Sequence, residues 1–158
     1  MPIDTLHPDV APIAFLLGTW EGDGKGDYPT TSPFTYRESL RFWHVKDAFL
    51  LYRQESWTPD DEPLHFEQGA LRALGDGRID LTIAHPNGVV EVSEGTVDGT
   101  MLTLSSTTVA RSADGSAVTG LARRYRVDGE TLSYELDMSM EEVPSTLHVW
   151  ASLRRANE

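Results

Sequence analysis

Five histidines are the residues of this chain best suited to chemistry: His7, His44, His65, His85 and His148. A neutral imidazole can ligate a metal or move a proton near neutral pH. The chain has no cysteine, which excludes a thiolate metal site, a cysteine nucleophile and a disulfide framework. No two histidines stand at a zinc-type chelating spacing, so the sequence argues against a multi-histidine site. His7 and His65 have polar surroundings and read as surface residues. His44 shares a strand parity with Leu40 and Phe42, which predicts a buried ring hydrogen-bonded to backbone. His85 precedes Pro86-Asn87-Gly88 and is expected to fix that turn or to lie near a rim. His148 lies in the run 146–154, which is apolar at both parities, so alternation leaves its direction open.

Other chemical patterns are weaker. Gly22-x-Gly24-x-Gly26 lacks the Lys-Ser/Thr ending and the helix of a phosphate-binding loop. Its glycines fit a first barrel strand, where they permit sharp coiling and close strand approach. No serine sits in a nucleophile-elbow pattern. No carboxylate pair has a context that marks it for acid–base work.

The elements that must position these residues are mostly strands. Pro8–Leu16 reads as a short helix, with Asp9 as its cap and Ile13, Leu16 and Leu17 toward a core. Beyond Leu17 the period is two. Phe34, Tyr36, Leu40, Phe42 and His44 share one face, and Arg37, Ser39 and Arg41 the other. Ile79, Leu81 and Ile83 alternate with polar residues, as do Leu132, Tyr134, Leu136, Met138 and Met140. Turn signals recur at 75–77, 86–88, 98–99, 114–115 and 128–129. About ten antiparallel strands with short turns are expected to close on themselves, because closure removes exposed edges. The expected fold is therefore all-β: one ten-stranded antiparallel up-and-down β-barrel with a short N-terminal helix. Such a barrel leaves an interior larger than its side chains fill.

Length and charge bound the rest. A chain of 158 residues is one domain by size. A formal net charge of −12 repels phosphate backbones and anionic lipid, so neither nucleic acid nor membrane is an expected partner. No apolar run reaches the roughly 20 residues of a spanning helix. The sequence begins without a basic region and apolar stretch, so no secretory leader is expected. The cysteine-free composition fits a cytoplasmic setting.

Several motifs together resemble one family. Gly18-x-Trp20-x-Gly22-x-Gly24, followed by Tyr28-Pro29-Thr30, is similar to the G-x-W-x-G-x-G signature of nitrobindins. The resemblance continues through Ser32-Pro33-Phe34-x-Tyr36-x-Glu38, Ala84-His85-Pro86-Asn87-Gly88, Tyr125-Arg126-Val127-Asp128-Gly129 and Leu132-Ser133-Tyr134. It covers nearly the whole chain and implies a lipocalin-like or fatty-acid-binding-protein-like heme-binding domain over 1–158. It implies heme b, an axial iron ligand on the last strand at His148, and a heme contact at Thr30. Trp20 would plug the closed end. The resemblance further implies a ferric form that isomerises peroxynitrite to nitrate and a ferrous form that binds nitric oxide. It implies an apolar distal side, and it leaves a homodimer open. Three positions depart from the pattern. Thr31 replaces an aliphatic residue, and Trp150 replaces a small one. The segment 113–117 has no lysine for a heme propionate, leaving Arg123 and Arg124 as substitutes. The alternative reading is a non-enzymatic carrier of a fatty acid or similar apolar guest, lined by Phe34, Tyr36, Leu81, Leu104, Tyr134 and Met138.

Overall fold

The runs of period two become ten strands in a computed structural model, which describes residues 5–157. In chain order they are β1 (Gly18–Tyr28), β2 (Thr31–His44), β3 (Phe49–Trp57), β4 (Pro63–Gly75) and β5 (Arg78–His85). They continue as β6 (Val89–Asp98), β7 (Met101–Arg111), β8 (Val118–Asp128), β9 (Thr131–Met140) and β10 (Val143–Arg155). Each strand pairs antiparallel with its chain neighbours, and β1 also pairs with β10. The meander therefore closes into a barrel, as the edge argument requires. The Asp-Gly signals at 98–99 and 128–129 mark the β6–β7 and β8–β9 hairpins.

One end of the barrel is filled. Trp20 is fully buried there, with Leu40, Leu71, Leu102, Leu132 and Leu153 in the same apolar cluster. Its indole Nε1 donates to the Leu16 carbonyl at 2.9 Å. The Arg155 guanidinium lies 4.1 Å from the centre of its ring. Arg155 also donates to the carbonyls of Leu17 and Phe15, so the last strand holds the helical segment down. Pro8–Leu16 is a 3₁₀ helix, and its buried residues are Val10, Ile13 and Leu16. Their spacing of three is the 3₁₀ period. This corrects two expectations: Leu17 is only half-buried at the C-cap, and Asp9 is not the cap. His7 takes the cap position, its Nδ1 accepting from the Asp9 amide at 3.2 Å.

The glycines of β1 serve close approach. A Cβ on Gly24 would lie 2.2 Å from the Tyr36 ring, and one on Gly26 would lie 2.1 Å from the Phe34 ring. Both rings therefore fold over the β1 backbone. Gly18 and Gly22 of the same motif stand opposite Phe42 and Glu38 on β2.

Candidate functional site

The other end of the barrel holds a cavity of roughly 290 Å³. Phe34, Tyr36, Leu136, Met138 and Val149 give it apolar wall, and three of the five histidines line it: His65, His85 and His148.

His148 reaches the cavity through a local irregularity. On β10 the buried residues are Ala151 and Leu153, so even-numbered positions should face outward. The β9–β10 register shifts between Leu147 and Val149, leaving His148 as the extra residue of a bulge. Bulges re-aim side chains, and this one brings His148 to the cavity mouth. Its Nδ1 lies 3.1 Å from the Asp27 carbonyl oxygen. A carbonyl only accepts, so that bond requires Nδ1–H and leaves the lone pair on Nε2. The Tyr28 ring meets the imidazole edge-on at 5.0 Å, and Phe34 lies 6.1 Å away. The Tyr28 hydroxyl is fixed by donating to the Met138 carbonyl at 3.0 Å. The same bulge breaks the expected relation of Trp150 to His148. Trp150 stands on the outer surface between Lys25 and Glu135 and does not enter the cavity.

The wall across the barrel is polar. β5 is five strands around the ring from β10, hence opposite it. There His85 Nε2 lies 3.0 Å from Glu91 Oε1, and His85 Nδ1 lies 3.4 Å from His65 Nε2. Two histidines that lack a chelating spacing in sequence therefore meet in the fold. Twenty residues of separation are closed by the β4–β5 hairpin. His65, expected at the surface, lines the cavity. Burial lowers its imidazole, so the ring is neutral near pH 7. His44 is the buried, backbone-bonded ring expected: its Nδ1 accepts from the Lys46 amide at 3.1 Å. His7 is half-buried, and its amide lies 3.3 Å from His44 Nε2.

Arg123 is buried among carboxylates at the cavity floor. Its Nη2 donates to Glu67 Oε2 at 2.9 Å and Glu91 Oε1 at 2.8 Å, and its Nε donates to Glu91 Oε2 at 2.9 Å. Burial would raise both carboxyls. The guanidinium reverses this, with help from His85, and holds both below the usual carboxylate range. Glu38 has no such cation against it. Burial lifts it to about 7, although the Tyr134 hydroxyl donates to it at 2.6 Å and the Gln54 amide at 2.9 Å. The Tyr36 and Tyr134 hydroxyls lie 2.7 Å apart beside it.

These buried charges were missed by the sequence reading, which saw no carboxylate with a distinguishing context. The signal was parity. Glu38 alternates in phase with Tyr36 and Leu40, and Arg123 with Leu121 and Tyr125. Leu81 and Leu104, expected in the cavity, belong to the filled core instead.

The comparisons with known proteins fit this geometry. Residues 9–155 match the model of the THAP4-like, heme-binding β-barrel domain. The chain belongs to that family. A protein of Nocardia farcinica named peroxynitrite isomerase is 42% identical over 159 residues, covering 98% of this chain and 95% of its own. Peroxynitrite isomerase 1 of Mycolicibacterium paratuberculosis is 43% identical, covering 98% of this chain and 99% of its own. The crystal structure of Rv2717c from M. tuberculosis superposes with a TM-score of 0.90 at 38% identity, covering 96% of this chain and 99% of that one.

A heme-binding barrel needs an axial donor beside an apolar slot. His148 fits as donor, with its Nε2 lone pair set by Asp27 and Phe34, Leu136, Met138 and Val149 around the same cavity. The propionate expectation does not hold. Arg123 is committed to Glu67 and Glu91, and Arg124 lies on the outside, paired with Glu135 and Asp137. The wall opposite His148 carries His65 and His85, where the resemblance implied apolar residues. Thr30 sits exposed in the β1–β2 turn, outside the residues that line the cavity. Thr31 is likewise exposed. No helix among the described residues is long and apolar enough to cross a membrane.

Proposed function

We propose that residues 1–158 form one heme b-binding domain that isomerises peroxynitrite to nitrate, with His148 as the axial ligand. The observation that carries this reading is the His148 imidazole, set by the Asp27 carbonyl to offer Nε2 to an apolar-walled cavity. The names of the relatives at 42% and 43% identity support the activity. When bound, ferric heme supplies an open coordination position at which peroxynitrite can rearrange with no net electron transfer.

The chain's own residues do the rest. Asp27 fixes the tautomer and ring plane of His148, the usual task of a partner behind a metal-ligating histidine. Tyr28 and Phe34 limit rotation of that ring. Leu136, Met138 and Val149 keep water from the apolar slot. Thr30 would touch the heme edge from the adjoining turn. Nitric oxide is the second small ligand in this reading, a homodimer its assembly and the cytoplasm its setting. These three rest on the family resemblance and composition.

Hemin titration followed by absorption tests the site. His148→Ala should lose most of the affinity and the Soret band of the complex, while His44→Ala should keep both. Equal loss in both variants would remove the assignment. Stopped-flow decay of peroxynitrite should be accelerated by the ferric complex and not by apo or cyanide-bound protein. Three curves that coincide with buffer would overturn the activity. The net charge of −12 repels an anion at long range, so added salt should raise the second-order rate.

A further inference from the structure

We propose that His65, Glu67 and His85 form a second site, for a divalent transition cation of the zinc class, on the cavity wall opposite His148. One ligand atom from each lies within 4.8 Å of the other two. The inference does not depend on the heme reading.

The tautomer of His85 is the first argument. Glu91 Oε1 lies 3.0 Å from His85 Nε2. Glu91 accepts from the Arg123 guanidinium on both oxygens, at 2.8 and 2.9 Å, and from the Ser93 hydroxyl at 2.6 Å; a carboxylate paired in this way accepts from His85 as well. His85 Nε2 therefore carries the proton, and Nδ1 is a bare lone pair. That lone pair faces two other groups. Glu67 Oε2 is 3.8 Å away, an acceptor against an acceptor. His65 Nε2 is 3.4 Å away, longer than the usual range of roughly 2.7–3.2 Å for an N–H donor. A neutral contact of this kind is weak. A cation placed among the three atoms would be attracted by all of them.

Size decides which cation. Zinc binds imidazole nitrogen at about 2.0–2.1 Å in a tetrahedral set, which places two such nitrogens about 3.3–3.4 Å apart. The observed 3.4 Å between His65 and His85 is that edge without any movement. Glu67 must close by a few tenths of an ångström to a little over one, within reach of a side-chain rotation. Calcium and magnesium prefer oxygen-only shells, which two imidazoles do not provide.

The surroundings resemble a supported metal site. Glu91 behind His85 makes the carboxylate–histidine–metal arrangement that orients a ligand ring. Arg123 fixes Glu67 and Glu91 together. Two carboxylates against one guanidinium leave one negative charge beside the incoming cation. Three protein ligands on a wall of the cavity leave a fourth position open, the pattern of an exchangeable rather than a closed site.

The test uses the full chain, stripped with a chelator, in apo and hemin-loaded forms. Zinc by equilibrium dialysis and cobalt(II) by visible absorption should each bind at one per chain in the apo form. His65→Ala and His85→Ala should each abolish the cobalt bands, and His148→Ala should keep them. Glu91→Gln should weaken zinc about 10–100-fold, the usual cost of losing an outer-shell partner. X-ray absorption at the zinc edge of the unaltered protein should show two imidazoles, a readout that needs no variant to fold. Absence of stoichiometric zinc overturns the proposal. So does binding that survives His65→Ala and His85→Ala, or that His148→Ala removes. The Soret band of the hemin-loaded form reports heme binding separately, so failure of either site is read without the other.

Discussion

The two ends of the barrel are built by the same alternation and filled with opposite chemistry. At the closed end Trp20, Val10, Ile13 and Leu16 complete a packed apolar plug. The indole of Trp20 has its one donor satisfied within the plug. At the open end the inward positions carry Glu38, Glu67, Glu91, Arg123 and three histidines, and a cavity remains. The first end stabilises the fold, because buried apolar area is its own reward. The second end opposes it, because buried charges cost more than they return unless paired. A closed barrel allows this division: the ten strands run continuously through both ends, so the plug can hold the frame that the cavity weakens.

The sharpest way to break the comparison is at the plug. Trp20→Ala should cost about 3–5 kcal/mol in chemical denaturation, as large aromatic truncations in packed cores do. Hemin affinity of the fraction still folded should change little. A loss of hemin binding larger than the loss of fold would mean that the two ends are not separable.

Glu38→Gln probes the cavity end through pH. Glu38 is held at about 7, against an ordinary glutamate near 4.3 in the unfolded chain. The fold favours its protonated form, so its contribution is fully present below the unfolded value and is lost as pH rises through about 7. Glutamine mimics the protonated state. The stability of Glu38→Gln relative to the parent should therefore grow by about 3 kcal/mol between pH 4.5 and 8. Glu67 and Glu91 shift the other way and lose their contribution only below the ordinary carboxylate range, in both proteins alike. Urea denaturation across that range checks it; parallel curves would show that Glu38 is solvated.

Gly24→Ala reaches the cavity from β1. The new Cβ would meet the Tyr36 ring at 2.2 Å, and moving that ring strains its 2.7 Å contact with Tyr134. The expected cost is about 1–3 kcal/mol, typical of overpacking. Weaker hemin binding should accompany it, since Tyr36 lines the cavity. Trp150→Ala should do least, changing the free energy of hemin binding by about 0.5 kcal/mol or less, because the side chain is outside. A large effect there would place the heme elsewhere.

Much of the fold was legible from local pattern alone. Period-two runs between Gly turns gave strands, and the number of strands gave closure and a cavity. Phe34, Tyr36 and the β9 face through Tyr134 and Met138 were assigned inward correctly because alternation is a geometric property of the strand itself. The helix was legible as an element but not as a 3₁₀ helix, since the difference lies in one hydrogen-bond step.

The site was legible only in part. The lack of cysteine excluded thiolate ligation, and the motifs pointed to His148. Alternation could not aim that ring, because a bulge adds one residue and inverts the parity on one side of it. Nor could sequence spacing join His65 to His85, or Glu67 and Glu91 to Arg123, which come from four different strands. Those meetings depend on the register between strands and on the closure of the sheet. Both are decided by packing over the whole barrel rather than by any neighbouring residue.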